Sequence, residues 1–206
     1  MKKFYLLLAA AMLIAMPSCK KDPANNGKKE EAEKVSRIFE DFENGGILRW
    51  TGAEGAAFKL VANPKKAGIN TSETVGQYTT AAHPYDFIWS SRFGDEIDPE
   101  TNQPKWKKDQ YVSIDFNEGW IIKIDCLAPA AGMPVYCKLE IDGGNGQEIK
   151  DVVTTKANEW EALEFDFEPL ALESGKYCDF VICVDAKGET AGTVVYLDNF
   201  RQVKGE

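Results

Sequence analysis

The chain has one histidine, no Cys-x-x-Cys pair and no long apolar run beyond Met16. The first two lacks exclude the common nitrogen-and-sulfur zinc sites. The third excludes a membrane-spanning helix in the body of the chain. The histidine, His83, precedes Pro84, and no Gly-x-Ser-x-Gly elbow occurs, so a Ser-His-acid hydrolase is ruled out. Phosphate loops and dinucleotide fingerprints are missing as well. Gly143-Gly144-Asn145-Gly146 lacks the lysine and the helix that would make it a phosphate cradle. Basic residues form no stripe, and the formal net charge of −9 repels a phosphate backbone, so nucleic acid is not an expected partner.

What is present begins with Lys2 and Lys3, an apolar stretch from Phe4 to Met16, and then Pro17, Ser18 and Cys19. The stretch is too short to stay in a bilayer as a helix and has the layout of a secretory signal. A cysteine at the cleavage point, after a small residue and before a polar tail, resembles the bacterial lipoprotein signal, in which that thiol is acylated and becomes the new N-terminus. The resemblance implies residues 1–18 as signal peptide, Cys19 as the lipidated residue, and an outer-membrane location on the periplasmic or cell-surface face. Residues 19–36, rich in Lys, Glu, Asp, Asn and Gly, have almost nothing to bury and are expected to be a flexible tether. The lysines that begin the mature chain resemble the export tags of Bacteroidetes surface lipoproteins. A basic spacer beside anionic lipid accounts for them equally well.

Residues 37–206 are the length of one domain. Runs with period-two alternation recur along them: Phe58 to Val61, Thr74 to Thr79, Tyr111 to Phe116, Trp120 to Leu127, Val135 to Ile141, Ile149 to Thr154, Trp160 to Phe167, Tyr177 to Val184 and Val194 to Val203. Gly, Pro, Asn and Asp clusters separate them. This spacing predicts an all-β, antiparallel sandwich with no helix in the domain. Asn117-Glu118-Gly119, Asp142 to Gly146 and Ala186-Lys187-Gly188 each fall between two runs and are expected to be hairpin loops. Ala81 to Lys108, with three prolines and five aromatic residues, is expected to be a long excursion holding at most one strand, near Phe87 to Ser90. Cys126 shares a strand face with Ile122 and Ile124, and Cys137 with Val135, Leu139 and Ile141, which marks both as small core residues.

Asp41-Phe42-Glu43-Asn44-Gly45, Trp50, Val61-Ala62-Asn63-Pro64, Gly68-Ile69-Asn70-Thr71-Ser72 and Tyr196-Leu197-Asp198-Asn199-Phe200 together resemble the galactose-binding-like jelly-roll domains of carbohydrate-binding modules. The likeness is greatest to those of Bacteroidetes lipoproteins. It implies that the first and last strands lie together and that acidic residues from each help hold a structural calcium away from the sugar site. Carried over by position, Glu43 and Asp198 are the side-chain ligands, with Asp41 as a third candidate. Calcium takes six to eight hard oxygens, which carboxylates and carbonyls at a strand edge can supply. Asn63, Asn70, Thr71 and Ser72 are read as pinning a turn, and Trp50 as core.

Sugar recognition uses aromatic rings stacked on a pyranose, with amides and charged groups on its hydroxyls. The long excursion supplies the candidates Trp89, Trp106 and Tyr85, with Arg92 among them. A competing pattern is Glu164-Phe165-Asp166-Phe167-Glu168, which fits the E-x-D-x-E motif of laminarinase-type glycoside hydrolases. Retaining hydrolysis needs two carboxyls about 5 Å apart, closer than i and i+4 on a regular strand. The simpler reading puts Leu163, Phe165 and Phe167 in the core and the three acids in water. The sequence thus points to a non-enzymatic, lipid-anchored protein that binds polysaccharide or oligosaccharide and presents it to other surface glycan-utilisation proteins. A structural or adhesive lipoprotein and a glycosidase using Glu164, Asp166 and Glu168 are the alternatives.

Overall fold

The computed structural model describes residues 34–43, 48–91, 96–97, 104–105, 113–141, 147–169, 175–185 and 190–205. Cys19, Arg92 and Trp106 lie outside them. The strands are β1 (Val35–Glu40), β2 (Arg49–Ala53), β3 (Ala57–Ala62), β4 (Thr74–Thr79), β5 (Phe87–Ser91), β6 (Glu96–Ile97), β7 (Pro104–Lys105), β8 (Ile121–Leu127), β9 (Pro134–Ile141), β10 (Gln147–Val153), β11 (Trp160–Asp166), β12 (Tyr177–Val184) and β13 (Val194–Val203). Sheet I runs β11-β8-β13-β4-β3, with β1 also on β13; sheet II runs β10-β9-β12-β5-β2. Every pairing in both sheets is antiparallel. Among the described residues there is no α-helix, and the 3-10 turns are short, one of them at Phe116–Glu118. The fold is the antiparallel β-sandwich that the alternating runs predict.

Alternation dictates the core. On β8, Ile122, Ile124 and Cys126 are wholly buried, and on β9 so are Cys137 and Leu139, each sending every second side chain between the sheets. An aromatic cluster closes one end of this interior, with Trp50 against Phe200 (ring centroids 4.8 Å) and Phe42 against Phe58 (5.7 Å). Gly76 permits it, because a Cβ there would stand 2.6 Å from the Phe58 ring and 2.9 Å from that of Phe42. Glu40, also wholly buried, ties the chain entering the cluster: its carboxylate accepts from the amides of Phe42 (2.9 Å) and Leu48 (2.7 Å). All four cysteines of the sandwich are buried free thiols, and burial raises the pKa of Cys126 and Cys137 far above the ordinary thiol range.

The structure departs from the sequence expectations in five places. The excursion Ala81 to Lys108, expected to hold at most one strand, holds three, β5 and the short pair β6 and β7. β1 begins at Val35, two residues before the expected domain start, because Val35 pairs with Val203 on the last strand. β2 was not expected, since Arg49–Ala53 carries one large apolar residue and no alternation. Ser113–Asp115 belong to no strand; Asp115 instead caps the 3-10 turn, accepting from the Asn117 amide at 3.0 Å, so Asn117-Glu118-Gly119 is not a hairpin loop. Ala186-Lys187-Gly188 lie outside the described residues, but β12 belongs to sheet II and β13 to sheet I, so the two runs that flank them do not pair as a hairpin. A turn signal marks where a strand stops, and it does not say which sheet the next strand joins.

Candidate functional site

Sheet II presents the face of interest. Its central strand, β12, is buried along all eight residues, so both of its faces are covered. Phe180, Ile182 and Val184 belong to the core between the sheets, which leaves Asp179, Val181 and Cys183 on the outer face. Val181 is paired with Trp89 of β5 on one side and with Lys138 of β9 on the other; Thr51 of β2 is paired with Trp89 in turn. Cys183 is paired with Tyr136. The short side chains of β12 therefore sit low between longer ones, with Phe87 and Trp89 rising from β5 and Tyr136, Lys138 and Glu140 from β9. Neighbouring strands stand about 4.8 Å apart, so the two walls are separated by roughly 10 Å. The result is a shallow trough running along β12, with rings on both sides.

Its polar groups are arranged rather than scattered. Lys138 and Glu140, two apart on the same face of β9, form a half-buried ion pair. Glu140 is paired across the strands with Asp179, which is only 6% exposed. Carboxylate and ammonium groups held this way beside half-buried rings can accept from and donate to a row of hydroxyls.

Of the sugar-site candidates named from sequence, Trp89 lies in this trough, within a strand and not on a loop. Tyr85 lies just before it, on the turn leading into β5, with its side chain 72% exposed and its backbone in the left-handed region at φ 69°. Sequence reading missed Tyr136, Lys138 and Glu140. Their signal was the alternation of Val135 to Ile141, which puts them opposite the core residues but does not reveal that β9 lies two strands from β5.

The metal candidates lie across the sandwich, on the outer side of sheet I. Asp198 is wholly buried and accepts from Asn70 Nδ2 at 2.7 Å and from the Asn199 amide at 2.8 Å. Burial pushes its carboxyl up to about 6, with Asp125 adding to the rise and Asn70, Ser72 and Asn199 opposing it. Glu43 Oε1 accepts from the amides of Glu73 (2.8 Å) and Thr74 (3.0 Å). Glu43 and Asp198 thus both bond to the 70–74 segment, and Asn63 Nδ2 braces it through Asn70 Oδ1 at 2.8 Å. Asp41 stays within its own turn, accepting from the Glu43 amide at 3.1 Å. Among the described residues no three His, Cys, Asp or Glu side chains converge as a metal would require. An open cavity of about 280 Å³ on the same side is lined by Pro64, Lys65, Leu127, Asn158 and Tyr196 among others, and the Lys65 ammonium there already donates to the Asn158 carbonyl at 2.5 Å.

Glu164 and Asp166 are exposed on β11, the edge strand of sheet I, with Leu163, Phe165 and Phe167 buried behind them. Glu164 pairs with Lys123 at 3.1 Å, and Asp166 accepts from the Glu168 amide at 2.8 Å. These carboxylates face water from a strand edge.

The sequence matches no protein-family model and no curated protein. Solved structures do match. A family 61 carbohydrate-binding module in complex with β-1,4-galactotriose is 17% identical, with 84% of this chain and 99% of that one covered and a TM-score of 0.50. An arabinose-bound GH51 α-L-arabinofuranosidase is 11% identical with a TM-score of 0.51, over 83% of this chain and 26% of that enzyme's. A family 11 module of a Clostridium thermocellum cellulosomal cellulase is 12% identical, over 82% and 94% of the two chains, with a TM-score of 0.49. Two of these three neighbours are carbohydrate-binding modules, and the likeness to them is one of β-sandwich fold.

Proposed function

We propose that this protein binds polysaccharide without cleaving it, in the trough on the outer face of sheet II. The observation that carries the reading is the row Thr51-Trp89-Val181-Lys138, in which an aromatic wall and a charged wall flank a low apolar floor. Rings that a folding core would have taken inward stand half-exposed beside fixed hydroxyl partners, as a sugar chain requires. Glu164, Asp166 and Glu168 do not enter this trough, which favours binding over hydrolysis. The family 61 neighbour's ligand makes β-1,4-galactan a natural first polymer to try. In the full reading the chain is tethered by lipid on Cys19 at the outer membrane, presents glycan to partner enzymes or transporters, and carries a structural calcium between Glu43 and Asp198.

Affinity electrophoresis through gels containing β-1,4-galactan, xylan and a panel of neutral and acidic polymers tests it. At least one polymer is expected to retard the protein without losing viscosity. Trp89→Ala is expected to weaken that retardation about tenfold, equivalent to about 1.4 kcal/mol, with the melting temperature nearly unchanged. Falling viscosity would establish an enzyme, and retardation by no polymer would favour the adhesive alternative.

A further inference from the structure

Residues 81–86, which lead into β5, are held more firmly than an ordinary turn. At their start, Thr80 is locked to the segment before β13: its amide donates to the Thr193 carbonyl (2.9 Å), its carbonyl accepts from the Gly192 amide (2.9 Å), and its hydroxyl donates to the Thr190 carbonyl (2.8 Å). At their end stands Asp86, 1% exposed. Its carboxylate reaches back to accept from the Ala81 amide, and its own amide donates to the His83 carbonyl at 3.2 Å, so the six residues are closed on themselves. Its carbonyl accepts from the hydroxyl of Tyr78, a wholly buried residue of β4, at 3.0 Å. The second carboxylate oxygen of Asp86 is buried and accepts no hydrogen bond.

This arrangement is unfavourable in two respects. A buried carboxylate oxygen goes without a partner. An aromatic residue, Tyr85, is kept at φ 69°, where bulky side chains are rarely found. Packing does not repay the second, since Tyr85 is 72% exposed. A non-glycine residue persists in the left-handed region only where its surroundings over-determine it, and the bonds through Thr80, Asp86 and Tyr78 do so. Two residues of extended chain span at most about 7 Å, so Tyr85 stands near Phe87, at the end of the trough where β5 begins.

We propose that Asp86 and Tyr78 are positioning residues for glycan recognition: they hold the 81–86 turn so that the Tyr85 ring is fixed in advance at the end of the trough, as a further stacking surface. The inference rests on the reading of sheet II as the sugar-binding face and adds a residue that acts on the ligand only through its neighbour. Pre-ordering the ring removes the entropy that a mobile tyrosine would lose on binding.

The test is a double-mutant cycle by affinity electrophoresis of the full-length protein in β-1,4-galactan and xylan gels, with Trp89→Ala as reference. Tyr85→Ala is expected to weaken retardation about threefold to tenfold, in the range of one aromatic contact. Asp86→Ala should weaken it by a similar factor, and the Tyr85→Ala/Asp86→Ala double variant no further than Tyr85→Ala alone. Asp86→Asn, whose amide oxygen can still accept from Ala81, should bind as the parent does. If Asp86→Ala does not fold, Tyr78→Phe, which removes only the hydroxyl, substitutes in the cycle with the same expected non-additivity. Effects that add in the double variant, or Tyr85→Ala retarded like the parent while Trp89→Ala is not, overturn the positioning role and leave the sugar-binding face standing. A parent protein retarded by no polymer overturns both.

Discussion

Asp198 shows how much a single carboxylate can constrain at the residue scale. It is wholly buried, and its recorded partners, Asn70, Ser72 and Asn199, are neutral. Its paired residue across the sheet, Asp125, is another acid, whose charge is met by Arg201 at 2.8 Å. A buried anion beside a second anion is stabilised by a bound cation, which is the physical content of the proposed calcium. If calcium bridges Glu43 and Asp198, chelation should lower the melting temperature of the parent by about 5–10 °C, as expected for removal of a ligand held at about a hundred times its Kd from a domain of this size. Asp198→Asn should no longer respond. Equal melting curves with and without chelator, in both proteins, would dismiss the metal. Asp198 and Glu43 were legible in sequence only through the likeness of the two chain ends to a known family, because no spacing rule links residues so far apart.

At the element scale, β11 separates structure from apparent motif. Its alternation puts Phe165, wholly buried, behind Glu164, which is exposed and paired with Lys123. Phe165→Ala should therefore cost about 3–5 kcal/mol in urea unfolding, from lost burial and the cavity left behind. Glu164→Ala should change stability by about 0.5 kcal/mol or less, because an exposed ion pair contributes little. Glu164→Ala should also leave glycan retardation unchanged; a loss of either kind would return the acidic strand to the functional site. The regular strands were readable because period-two alternation reports burial on one face. β2 was not, since Trp50 is its one large core residue, and the non-strand character of Ser113–Asp115 was hidden because an Asp cap and an alternating pair look alike in six residues.

For the whole molecule, the proposed arrangement is a sandwich with chemically different outer faces, tethered at one end. Sheet II carries rings and an ion pair across a trough, while sheet I carries buried acids under the 63–73 segment. Metabolic labelling with a fatty acid should mark the parent protein, and Cys19→Ser should abolish the label and move the protein from the membrane to the soluble fraction. A variant that stays unlabelled yet membrane-bound would refute lipid anchoring as the means of attachment.

The sequence by itself determined the all-β class, most strand boundaries, the inward placement of Cys126, Cys137, Phe165 and Trp50, and the turn pinned by Asn63 and Asn70. These are local properties: alternation and turn chemistry act over a few residues, and burial follows from which face a side chain takes. Only the tertiary structure decided that β5 and β9 flank β12, and so that Trp89 and Tyr136 share one trough with Lys138 and Glu140. It alone showed that β12 and β13 belong to different sheets and that Asp86 closes the turn bearing Tyr85. Strand order is set by the packing of the whole sandwich, where each pairing competes with others of similar local pattern. Residues that meet across strands therefore carry no mark of their partners in the linear chain.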